Sequence, residues 1–117
     1  MPYLLLIREH GTRERWTDAE GHEAREKMMR FADDLKTRGL CNAAESLRPD
    51  REGARVEIRG GNRFVVEGPF AESKEMVGGF FVLDCRTRDE AIAIAAQCPA
   101  AEWATVEVRE IGPCYPS

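Results

Sequence analysis

Two short stretches of the chain, Tyr3 to Ile7 and Phe80 to Leu83, are apolar at every position. A strand with one face in water alternates between apolar and polar residues, so an unbroken apolar run reads as a strand covered on both faces. Whatever this chain folds into must supply a sheet with two covered sides. That requirement limits the architecture more than any single motif does.

The segments between these strands supply one of the two covers. After a polar loop from His10 to Trp16, Thr17-Asp18-Ala19-Glu20 has the form of a capping box. Thr17 is the N-cap and Glu20 reaches back to it. Ala24, Met28, Phe31, Ala32 and Leu35 then recur at helical spacing, with Gly39 as the expected stop. Leu40 to Leu47 reads as a strand. Ala54, Val56 and Ile58 alternate with Arg55, Glu57 and Arg59 in a half-buried strand pattern, and Gly60-Gly61-Asn62 turns it into a second strand, Arg63 to Glu67. A loop from Gly68 to Gly79 precedes the strand Phe80 to Cys85. Thr87-Arg88-Asp89-Glu90 forms a second capping box, opening a helix with apolar Ala91, Ile92, Ile94 and Ala95 that closes near Cys98-Pro99. The last strand, Ala104 to Ile111, carries Ala104, Val106 and Val108 on one face and Thr105, Glu107, Arg109 and Ile111 on the other.

The order is thus β-α-β, a hairpin, β-α-β. Right-handed crossovers make this an α+β sandwich of the ferredoxin-like kind, an antiparallel sheet with helices on one face. The other face still needs a cover, and a second copy of the chain is the simplest one, so a homodimer closing two sheets face to face is expected. At 117 residues the chain has the length of one domain, expected to span residues 1–117.

Charge and composition close other routes. Seventeen Lys and Arg against twenty-one Asp and Glu leave a net charge of −4, with no basic block, which argues against a nucleic-acid binder. The apolar N-terminal run is far below membrane-spanning length and lacks the features of a signal peptide, so a cytoplasmic protein without a membrane partner is expected. Cys41, Cys85, Cys98 and Cys114 show no zinc-ligand spacing, and they read as reduced thiols behaving as small apolar residues, with Cys114 the most exposed. No phosphate loop, dinucleotide fingerprint or metal cluster is present in the sequence, so neither cofactor nor metal is expected.

The stretch Glu67-Gly68-Pro69-Phe70-Ala71-Glu72-Ser73-Lys74-Glu75-Met76-Val77-Gly78-Gly79-Phe80-Phe81 resembles the DGPF signature of the YCII-related family. The likeness continues through Asp89-Glu90-Ala91, Cys98-Pro99-Ala100-Ala101 and Val106 to Ile111, and with the N-terminal strand and first helix it covers essentially the whole chain. The resemblance implies a dimeric ferredoxin-like fold, the dimeric α+β barrel type. Most such proteins have no assigned reaction, and some are encoded beside extracytoplasmic-function sigma factors. The wider family includes a dehydrochlorinase acting on a hydroxylated aromatic, for which a His–Asp pair has been proposed. Counted back from the glycine ending the first helix, that histidine position falls on Met28, whose thioether cannot accept a proton at neutral pH. The first residue of the signature is Glu67 here, where Asp is usual.

Two groups of residues are candidates for a site. Glu67, Phe70 and Lys74 belong to a loop whose Gly and Pro have an architectural explanation, with Phe70 anchoring it in the core; functionally it would line a pocket at the sheet rim, with Glu72 as a further polar group. Glu107 and Arg109 share a strand face, as an ion pair or as a carboxylate base beside a guanidinium that grips an organic acid. Glu67 and Glu107 are the catalytic candidates, and Arg109, Glu107, Glu67, Phe70 and Lys74 the ligand-binding ones. His22 reads as a solvated helix residue, and Trp16 and Trp103 as packing residues. The expected function is a dimeric protein of unassigned activity that binds a small organic ligand between sheet and helices, as an accessory or regulatory module. The alternatives are a cofactor-free lyase- or isomerase-type enzyme on a lactone or hydroxylated aromatic acid, and an interaction partner linked to a sigma factor.

Overall fold

The computed structural model describes residues 2–70 and 75–115. Its elements are β1 (Pro2–Glu9), α1 (Thr12–Arg15), α2 (Asp18–Thr37), β2 (Cys41–Ser46), β3 (Ala54–Arg59), β4 (Asn62–Glu67), β5 (Met76–Asp84), α3 (Arg88–Gln97) and β6 (Thr105–Glu110), with single 3₁₀ turns at Asp50–Glu52 and Pro99–Glu102. Four strands form one sheet in the order β2-β5-β1-β6, all neighbours antiparallel, while β3 and β4 pair only with each other. This is the ferredoxin-like α+β arrangement with a hairpin inserted between its two halves. The two strands apolar on both faces, β1 and β5, are the central pair.

Helix α2 begins where the capping box predicts: Thr17 Oγ1 accepts from the Glu20 amide at 3.2 Å, and Glu20 Oε1 accepts from the Thr17 amide at 2.9 Å. At α3 only half of the box forms. Thr87 Oγ1 accepts from Glu90 N–H at 3.1 Å, but the Glu90 carboxylate reaches the amide of Arg86, one residue early. Both helices pack on the same sheet face. Tyr3, Leu5, Ile7, Phe81 and Leu83 meet Leu35 of α2 and Ala91, Ile94 and Ala95 of α3 there, with Met28 and Phe31 against the cluster. Phe31 and Phe81 meet edge to face at 5.5 Å.

Four expectations are corrected. The segment from His10 to Trp16 is not all loop, because α1 forms within it and is anchored by buried Thr12, whose Oγ1 donates to Trp103 O at 3.1 Å. β5 starts at Met76, so Gly78 and Gly79 lie inside the strand rather than before it. Phe70 is half-buried outside the core cluster, with the Arg55 guanidinium 3.8 Å over its ring. The hairpin strand Ala54–Arg59 is exposed along its whole length instead of half-buried, since none of the described residues outside the hairpin pairs with it or covers its apolar face. Gly60 and Gly61 do make the tight turn, at φ 56° and 81°, a conformation that glycine alone adopts without strain.

Candidate functional site

The stripe Gly21, Arg25, Met28, Ala32 and Lys36 repeats at helical spacing along α2 and faces the ends of β2 and β5. Helix and sheet splay apart there, leaving a cleft of about 690 Å³. Its inner wall is apolar, with Ile7, Phe81, Met28 and Ala24, and Trp16 and Trp103 stand at one end. The two indoles meet edge to face at 5.3 Å, so they pack and also line the cleft. Met28, where the family resemblance places a histidine, faces this cleft, and its Sδ lies 3.9 Å from the buried Cys98 Sγ. Burial pushes the Cys98 thiol up, and the thiols of Cys41 and Cys85 are raised by the same cause. All four cysteines are free.

At the cleft's end sits a pair that sequence reasoning missed. Glu9, only 7% exposed, is held by Arg13 through hydrogen bonds of 2.8, 2.9 and 3.1 Å. The other donors of Arg13 go to Leu47 O at 2.8 Å and Gly78 O at 3.0 Å, tying α1 to the ends of β2 and β5. The sheet makes room for this pair. Between Ile7 and Arg8 the register slips, leaving Gly78 without a partner on β1. A Cβ on Gly78 would collide with Glu9 Oε2 and stand 2.9 Å from Arg13 Nη2, while one on Gly79 would stand 2.8 Å from Glu45 O. The same pair forms part of the wall of a second hollow of about 120 Å³ on the α1 side. The sequence did hold a signal: the inward face of β1 runs Tyr3, Leu5, Ile7 and then Glu9, with Arg13 four residues on.

The residues singled out from the sequence fall in two other places. Glu67 is exposed at the root of the hairpin, opposite Ala54. The next residue, Gly68, has an architectural role: its N–H donates to Gly53 O at 2.9 Å, and a Cβ there would collide with the carbonyl of Asp50. The Gly68–Pro69 peptide is cis. Lys74 and Glu72 lie outside the described residues.

Glu107 and Arg109 are on the sheet face away from the helices, in register with Leu6 and Leu4. Glu107 Oε2 is 3.8 Å from Arg109 Nε, and Glu107 Oε1 is 3.4 Å from Arg8 Nη1. Arg8 in turn donates to Glu75 at 2.6 Å, and this bond holds the Glu75 carboxylate below its ordinary range. His10 Nε2 lies 3.2 Å from Thr105 Oγ1 in the same polar patch. None of Glu67, Phe70, Glu107 and Arg109 lines the cleft. His22 does, from an exposed position at its mouth.

Among the described residues no three His, Cys, Asp or Glu side chains are grouped so as to hold a metal ion, and no helix is long and apolar enough to cross a membrane. A YCII-related domain matches residues 1–114. An uncharacterized protein of Rhizobium meliloti (strain 1021) is 32% identical over 101 residues, covering 81% of this chain and 82% of that protein. The chain belongs to the YCII-related family.

Proposed function

We propose that this protein binds a small, partly aromatic organic ligand in the cleft between α2 and the sheet, acting as a homodimeric binding or regulatory module. The observation that carries this reading is the cleft itself. At about 690 Å³ it falls within the few-hundred to thousand Å³ range of small-molecule sites, with an apolar wall, two indoles and a few polar groups at the mouth. Charged groups of both signs line it, with Arg13, Arg25, Lys36 and Arg48 against Glu9, Asp18 and Asp33. The walls therefore suit a flat apolar body bearing one or two polar substituents, such as a phenolic acid or a lactone. Met28, where the family resemblance places a histidine, offers no proton acceptor of its own.

Thermal-shift measurements against small carboxylates, lactones and phenolic acids test this. A ligand at a hundred times its dissociation constant stabilises the native state by about 2.7 kcal/mol. Gly21 lines the cleft and has open space where a Cβ would stand. Gly21→Leu is therefore expected to abolish the shift while leaving the fold intact, and Arg109→Ala to leave it unchanged. A shift lost in Arg109→Ala but kept in Gly21→Leu would move the site to the open sheet face.

A further inference from the structure

The chain exposes 8378 Å² of surface, against about 6,400 Å² for a compact monomer of its mass. Its radius of gyration is 16.1 Å, where a compact chain of this length has about 13 Å. The molecule is a plate of 48 × 47 × 19 Å. The surplus of roughly 2,000 Å² is within what one protomer of an obligate homodimer contributes to its interface, about 1,000–2,500 Å².

The hairpin β3–β4 carries much of that surplus, and its two faces differ. On one, Arg59 lies 5.3 Å from the Phe64 ring and is paired with Glu57, so the chain's own side chains provide some cover. On the other, Ala54, Val56, Ile58 and Val65 stand together, with Val56 directly opposite Val65, and Val56 and Ile58 are 63% and 66% exposed. The flanking residues of that face are Arg63 and Glu67. An isolated two-stranded hairpin is marginal in water, and an alternating strand of this kind is shaped for one covered face.

The open face of the four-stranded sheet offers a matching surface. Two rows cross it in register, Ala43–Val82–Leu4–Arg109 and Glu45–Phe80–Leu6–Glu107, each apolar at the centre and, at one end or both, charged. An apolar centre with a polar rim meets the same pattern on the hairpin.

We infer that β3–β4 is an exchanged arm: its Val56, Ile58 and Val65 face lies on the Leu4, Leu6, Phe80 and Val82 face of a second copy of this chain. This rests on the homodimer reading of the proposed function and names the element that holds the two copies together, with an arm-on-sheet contact in place of the sheet-on-sheet contact expected from the sequence.

Sedimentation velocity on the full chain and three variants tests it. The full chain is expected to be a dimer at micromolar concentration. Ile58→Glu, an exposed change that leaves the body of the fold alone, raises the dissociation constant at least 100-fold and gives a folded monomer with unchanged helical circular dichroism. Leu6→Gln on the receiving face weakens the dimer in the same direction. Phe64→Ser, on the other face of the arm, leaves association within a few-fold of the full chain. A dimer unmoved by Ile58→Glu would overturn the arm while leaving the homodimer standing. One broken by Ile58→Glu but unmoved by Leu6→Gln would overturn the arm-on-sheet contact, and a monomeric full chain would overturn both readings.

Discussion

Gly78 shows how one missing side chain organises the end of the cleft. The space a Cβ would take is occupied by the Glu9 carboxylate, itself locked by Arg13. Gly78→Ala must displace the buried Glu9 carboxylate from a half-buried arginine whose guanidinium also holds the carbonyls of Leu47 and Gly78. The expected cost is about 2–3 kcal/mol, read as a lowered urea midpoint. Gly21→Ala is the comparison: helical, with nothing near its Cβ position, it should stabilise by about 0.5–1 kcal/mol. Two adjacent glycines beside a strand permit a bulge or a close approach. What fills the gap was not legible in the sequence, because Glu9 reads locally as the polar end of a strand and its burial depends on an arginine from an unanticipated turn of helix. Phe70 failed for a related reason: large aromatics usually enter the core, but this one is capped by Arg55 at the root of the arm.

Among the elements, those with both a period and a punctuation mark were readable. α2 has an apolar stripe, a reciprocal cap and Gly39 at φ 72°, and it begins and ends where those signals fall. α1 has four residues, too few for any periodicity, and it exists through Thr12 and Arg13 contacts made far along the chain. The contact between β1 and the start of β5 also involves charge. Arg8 bonds Glu75 and lowers its carboxylate's proton affinity, as Arg48 does for Glu52. A carboxyl group with a depressed folded-state pKa contributes stability above its unfolded value, near 4.3, and loses it as pH falls through the folded value. Urea midpoints should therefore drop as pH falls below about 4.5, and Glu75→Gln should make that drop shallower. A slope unchanged in Glu75→Gln would show that the Arg8 bond does not persist in solution.

For the whole molecule, the ferredoxin-like order and an uncovered sheet face followed from the pattern of apolar runs, whereas the cleft did not. Its walls come from β1, α2, β2, β5 and the turn bearing Trp103, so no local window contains it. The thin plate has a thermodynamic consequence. If two copies share the open face, folding and association are linked, and the melting temperature should rise with protein concentration. A melting temperature constant over a hundredfold dilution range would argue against that linkage.

The sheet order also governs when the fold can assemble. β1 is made first, yet both its neighbours, β5 and β6, are made late, the last ending at Glu110. On the ribosome this apolar strand must wait, unpaired, until β5, which ends at Asp84, has emerged, while α2 and the β3–β4 hairpin can form from local contacts. A central strand made early and paired late leaves its apolar residues exposed for that part of synthesis.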